Sequence, residues 1–149
     1  MPLLNSLFNW VMKKRIHQIE LFRNYPHEVQ SDVLYRLISD GKNTEYGKKH
    51  NFSGIKAYEQ YQEQVPYVTY EELFPYIERI MKGEQNILWP STISWFAKSS
   101  GTTNDRSKFI PVSQEALEES HFSGGKDLIS IYVNSKEDSM IFGGKGLSI

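Results

Sequence analysis

Apolar residues recur at three- and four-residue steps at the start of the chain. Leu4, Leu7, Phe8, Val11, Met12, Ile16 and Ile19 share one helical face, with Lys13, Lys14 and Gln18 largely off it. That pattern predicts an amphipathic helix packed on a larger body. A second helix is predicted next. Pro26 suits its first turn, Gly41 suits the position just past its end, and Val29, Val33 and Leu37 form its expected buried stripe. The stretch from Thr44 to Ile55 is polar and holds Gly47 and Gly54, which predicts a short helical turn and a loop. Residues Lys56 to Gln64 return to a helical pattern, with Tyr58 and Tyr61 on one side.

The period then changes. Val65-Pro66-Tyr67-Val68 reads as an extended link, because proline moves its predecessor out of the helical region. Thr69 and Glu72 have capping-box spacing and should open a helix. Pro75 lies past the first turn and predicts a kink or split near Phe74. Ile77, Ile80 and Met81 continue the apolar face, and Gly83 ends it. Ile87-Leu88-Trp89, Ser94 to Ala97 and Phe109-Ile110 read as strands. Ser113 is a good N-cap for one helix from about Gln114 to Val133, striped by Leu117, His121, Gly124, Leu128 and Ile131. Met140-Ile141-Phe142 and Leu147-Ser148-Ile149 read as further strands. The fold class is α/β, helical over 1–84 and strand–loop–strand–helix over 85–149.

Composition narrows the function classes. A chain of 149 residues can bury one domain-sized core. Its formal net charge of −1 leaves no broad electrostatic footprint for nucleic acid or an anionic membrane. The lysines and arginines are scattered. The one tight basic run, Lys13-Lys14-Arg15, is explained by a helical face. There are no cysteines, so thiolate chemistry and disulfides are excluded. His17, His27, His50 and His121 lie far apart and make no metal-ligand spacing. No run approaches the ~20 apolar residues of a membrane span, and the positive charges follow the N-terminal apolar stretch instead of preceding it. We therefore expect a cytoplasmic protein without nucleic-acid or membrane partners. Ser123-Gly124-Gly125-Lys126-Asp127 looks like a phosphate loop but continues a helical pattern, where its glycines would permit close packing. Gly143 to Gly146 reads as a turn.

The richest chemistry lies from Ser99 to Lys108, S-S-G-T-T-N-D-R-S-K, between two expected strands. Gly101 allows a sharp turn and a close approach of backbone to a ligand. Successive N–H groups in such a turn can converge on an anion. Ser99, Ser100, Thr102 and Thr103 add hydroxyl donors, and Lys108 adds a cation. Together they can grip a polyphosphate and leave its α-phosphorus open. The loop is not a Walker A sequence. The same residues also suit an ordinary polar hairpin, since Ser, Thr, Gly, Asn and Asp dominate such turns.

Three blocks carry a resemblance. They are VPYVTYEELFPYIERIMKGE at Val65 to Glu84, WFAKSSGTT at Trp95 to Thr103, and SKFIPVS at Ser107 to Ser113. In order and spacing they resemble the auxin-responsive-promoter (Gretchen Hagen) acyl-acid amido synthetases of the adenylate-forming superfamily. That resemblance implies a carboxylic acid activated by ATP as an acyl-adenylate, then transferred to an amino acid amine. It implies ATP and Mg2+ as cofactors, small-molecule acid and amino acid substrates, and Ser99, Ser100, Gly101, Thr102, Thr103 and Lys108 as phosphate-binding positions. It names no catalytic nucleophile and no protein metal ligand within these residues. It further implies that 1–149 is an incomplete N-terminal portion of the large adenylation domain. Blocks like Tyr-x-Ser-Ser-Glu and Tyr-Arg-x-Gly-Asp, which bind adenine, ribose and magnesium in that family, are not among these residues. We expect this chain alone not to turn over substrate. Alternatives are an acyl-coenzyme A-forming ligase with the same loop, and a non-catalytic folded module.

Overall fold

The computed structural model describes residues 2–99, 107–136, 139 and 141. Helices dominate it, with one small two-stranded sheet, and the chain divides into two compact units, 1–29 with 118–149, and 30–117. The elements are α1 (Pro2–Asn24), α2 (Pro26–Gly41), α3 (Glu45–Lys49), a 3-10 turn (Phe52–Gly54), α4 (Tyr58–Gln64), α5 (Tyr70–Met81), β1 (Trp95–Lys98), β2 (Phe109–Val112), α6 (Gln114–Ala116), a π turn (Leu117–Phe122) and α7 (Ser123–Ser135). The fold is α/β.

In the first unit α1 packs along α7. Arg15 makes a two-pronged ion pair with Asp127, and the Met12 sulfur sits 3.6 Å from the buried Ser130 hydroxyl, which donates to the Lys126 carbonyl at 2.7 Å. Lys14 lies over the Trp10 ring, 3.6 Å from its centroid. Two members of the basic run thus already have partners within this unit. The predicted apolar face is only partly covered, since Leu7, Phe8 and Val11 are exposed while Met12, Ile16 and Ile19 are half-buried.

The expected single helix after Ser113 is interrupted. Ser113 does cap α6, accepting from the Ala116 N–H at 3.1 Å. The π turn that follows departs from the 3.6-residue repeat on which the predicted stripe depends. Leu128 and Ile131, expected inside, are 71% and 50% exposed, and the buried side is Ser130 and Val133. Gly124 and Gly125 lie in α7 as the helical reading requires, and a β-carbon at either would meet nothing within 4 Å among the described residues. Met140, Phe142, the turn at 143–146 and Leu147 to Ile149 lie outside the described residues.

The second unit is built around α5. Thr69 caps it as predicted: its hydroxyl accepts from the Glu72 N–H at 3.3 Å, and the Glu72 carboxylate accepts from the Thr69 N–H at 2.7 Å. The helix is not split at Pro75 and runs continuously from Tyr70 to Met81. Six residues into a helix, proline deprives only the Glu71 carbonyl of its i+4 donor, close to an exposed end. Ile77 and Ile80 point into the core, where Ile80 packs with Ile87 and Ile93. Gly83 (φ +99°) ends the helix by adopting the left-handed conformation that glycine tolerates, its N–H bonding to the Ile80 carbonyl at 2.9 Å.

α2 has the predicted limits but a different buried side. Val33 and Leu37 are 41% and 44% exposed, whereas Ile38 and Gly41 are buried. The predicted turn after it is α3. Buried Thr44 donates from its hydroxyl and its N–H to the Gly41 carbonyl (2.7 and 3.0 Å) and accepts from the Gly47 N–H at 2.9 Å. Ile87-Leu88-Trp89 is not a strand. The carbonyls of Asn86 and Ile87 instead accept from the N–H groups of Glu45 and Tyr46, each at 3.0 Å, and so serve as the outer partners of α3. Arg79 fastens the same corner, with two bonds to Glu45 at 2.8 Å and further bonds to Glu84.

Candidate phosphate-binding site

β1 and β2 form an antiparallel hairpin in the register Trp95 to Val112, Phe96 to Pro111, Ala97 to Ile110 and Lys98 to Phe109. The ladder continues one step further. The Ser99 N–H donates to the Lys108 carbonyl, and the Lys108 N–H donates to the Ser99 hydroxyl oxygen, both at 3.0 Å. Ser99 and Lys108, ends of the predicted loop, are therefore bonded neighbours. Ser100, Gly101, Thr102 and Thr103 lie outside the described residues.

Tyr70, in the first turn of α5, holds the return strand. Its hydroxyl oxygen accepts from the Phe109 N–H at 2.9 Å and its O–H faces the Phe109 carbonyl at 3.3 Å. The Lys108 ammonium lies 5.4 Å from the Tyr70 ring centroid, within cation–π range. On the opposite strand the Lys98 ammonium lies 5.9 Å from the Phe109 ring. Two cations thus flank the loop ends, each against an aromatic face. Lys98 and Tyr70 were not singled out by sequence. Lys98 lies within the WFAKSSGTT block, and the register that places it opposite Phe109 was not read. Tyr70 lies within the block from Val65 to Glu84, beside the capping pair Thr69 and Glu72.

Below the hairpin, β2 leads into the Ser113 cap and α6. Glu115 of α6 accepts from Ser91 Oγ at 2.9 Å and from Trp89 Nε1 at 3.3 Å. Bonding from its own backbone N–H, then from Ser91, Ser113 and Trp89, outweighs slight desolvation and holds this carboxyl below the ordinary glutamate range. A small hollow of about 240 Å3 between Ile80, Leu88, Trp89, Ile93 and Pro111 lies beside it. Among the described residues, no three His, Cys, Asp or Glu side chains gather as a metal site, and no helix is long and apolar enough to cross a membrane.

The model of the GH3 family N-terminal domain matches residues 15–149. The chain belongs to the GH3 family. Two indole-3-acetic acid-amido synthetases of Arabidopsis thaliana are among the relatives it matches. GH3.2 is 36% identical over 106 residues, which are 70% of this chain and 19% of that protein. GH3.4 is 31% identical over 137 residues, which are 90% of this chain and 22% of that protein. A jasmonoyl-L-amino acid synthetase of Nicotiana attenuata, JAR4, is 30% identical over 69% of this chain and 18% of its own length. Among solved structures, the GH3.15 acyl acid amido synthetase superposes with a TM-score of 0.72 at 28% identity, over 80% of this chain and 22% of that one. The chain spans about a fifth of the length of the curated GH3 relatives it matches.

Proposed function

We propose that residues 1–149 are the N-terminal portion of the large domain of a cytoplasmic GH3 ligase that adenylates a carboxylic acid with ATP and passes the acyl group to an amino acid amine. The observation that carries this reading is the family match over residues 15–149, which spans the whole hairpin. Relatives named as amido synthetases of indole-3-acetic acid and of jasmonate support the reaction class.

Ser99, Ser100, Gly101, Thr102, Thr103 and Lys108 are assigned to the phosphates. The described members fit such a role. Ser99 accepts from the Lys108 N–H yet keeps its own O–H for donation. Lys98 and Lys108 place positive charge at the loop ends, and Tyr70 fixes the strand carrying Lys108. ATP supplies the leaving group and enters with Mg2+. Attack of a carboxylate on a polyanion needs its charge offset, and donors fixed beforehand do this without reorganisation. The acid and amine are small molecules.

The test is made in a protein of full GH3 length carrying this N-terminal portion. Lys108→Ala should reduce acid-dependent ATP–pyrophosphate exchange by about a hundredfold, the usual scale for losing one charge-stabilising group, with an unchanged circular dichroism spectrum. Unchanged exchange would remove the loop from the mechanism. The 149-residue chain alone should show no exchange above its own Lys108→Ala control.

A further inference from the structure

Lysines that are scattered in sequence meet in one place in the second unit. Lys42, Lys48 and Lys56 line a concave site of about 570 Å3, whose apolar lining is Tyr35 and Phe52 above a floor of Ile38 and Ile55. Ile38 and Ile55 are buried and Phe52 is half-buried. No carboxylate lines the site, and among the described residues none of the three ammonium groups has an ion-pair or hydrogen-bond partner. Neighbouring charges are already engaged: Glu45 with Arg79, and Lys49 with the Tyr76 hydroxyl at 2.7 Å.

The walls are fixed. Lys42 follows Gly41 and Lys48 follows Gly47, and the two glycines are joined through the buried Thr44 hydroxyl. Their backbones are so close that a β-carbon on Gly47 would sit 2.1 Å from the Gly41 oxygen. The backbone carrying two of the lysines is therefore held before any ligand arrives, which lowers the ordering cost of binding. The volume lies in the ordinary range for small-molecule sites.

We infer that this hollow binds a soluble organic phosphate, its phosphoryl group against Lys42, Lys48 and Lys56 and its apolar body against Tyr35 and Phe52, the apolar lining side chains that keep exposed surface. The site is independent of the proposed adenylation chemistry. Three cations without acids select an anion, and the apolar surface selects a phosphate ester over the bare ion.

The probe is 1-naphthyl phosphate, titrated calorimetrically into the 149-residue chain at about 50 mM salt, where screening is weak. We expect saturable 1:1 binding, with 1-naphthol and inorganic phosphate each at least about tenfold weaker because each offers only half of the recognition. Each Lys→Gln change should weaken binding about threefold, as for exposed charge pairs, and the triple K42Q/K48Q/K56Q variant at least about tenfold. Raising salt to about 0.3 M should weaken the parent but leave the triple variant little changed. Lys108→Ala should bind like the parent. The inference is overturned by no saturation, by equal binding of 1-naphthol or inorganic phosphate, or by an unaffected triple variant. Loss of binding in Lys108→Ala would also overturn it, as would binding to phosphatidic acid vesicles without binding to 1-naphthyl phosphate.

Discussion

Two helical glycines should respond to the same substitution with opposite signs. Gly47 lies in α3, where an added β-carbon would stand 2.1 Å from the Gly41 oxygen and 2.9 Å from its carbonyl carbon, both backbone atoms. The gap must widen by more than about 1 Å before it reaches ordinary contact distance. Widening it strains three buried hydrogen bonds: the Thr44 N–H and hydroxyl to the Gly41 carbonyl, and the Gly47 N–H to the Thr44 hydroxyl. Leaving such buried groups poorly bonded costs about 1–3 kcal/mol each. Alanine recovers about 1 kcal/mol of helix propensity. The net expectation for Gly47→Ala is a loss of about 3 kcal/mol, a fall of about 1.5 M in the urea midpoint. Gly124 lies in α7 with nothing among the described residues within 4 Å of the added carbon, so Gly124→Ala should gain about 0.5–1 kcal/mol. The assay is urea denaturation of both variants followed by far-ultraviolet circular dichroism. A Gly47→Ala protein as stable as its parent, or a Gly124→Ala protein less stable than Gly47→Ala, would refute the reasoning.

Tyr70→Phe removes the hydroxyl that bonds both backbone groups of Phe109, and should destabilise the chain by about 1–2 kcal/mol while raising hydrogen exchange at the Phe109 amide. An exchange rate equal to the parent's would show that Tyr70 does not hold the strand. Glu115 ionises more easily when folded, so its contribution is fully present above the unfolded glutamate value and lost as pH falls through the lower folded value. The urea midpoint should therefore drop below about pH 4.3 less steeply in Glu115→Gln than in the parent. Parallel profiles would sink that assignment.

Much of the helical half was legible from local chemistry. Pro26 and Gly41 bound α2, Thr69 and Glu72 open α5, Gly83 ends it, and Ser113 caps α6. Each signal acts within about four residues of the backbone group it satisfies, so the chain carries it wherever it folds. The strands at Trp95–Lys98 and Phe109–Val112 were readable from short apolar runs on either side of a polar, glycine-containing loop. The ends of the candidate site were thus visible in advance.

The buried faces depended on partners far along the chain. Periodicity pointed to Val33 and Leu37, yet Ile38 is the buried side chain of α2. Ile87-Leu88-Trp89 looked like a strand because it is apolar, but its neighbour is α3 rather than another strand, and the carbonyls of Asn86 and Ile87 receive N–H groups from Glu45 and Tyr46. Tyr70 reaches Phe109 across 39 residues, a pairing no local pattern encodes. The lysines at 42, 48 and 56 were counted as scattered charge, and only the Thr44 corner gathers them around one hollow. Sequence alone determined the ends of α2 and α5 and the start of α6, because the capping energies that set them are local. Tertiary structure decided which faces are covered and which charges converge, because those energies depend on groups brought together from distant parts of the chain.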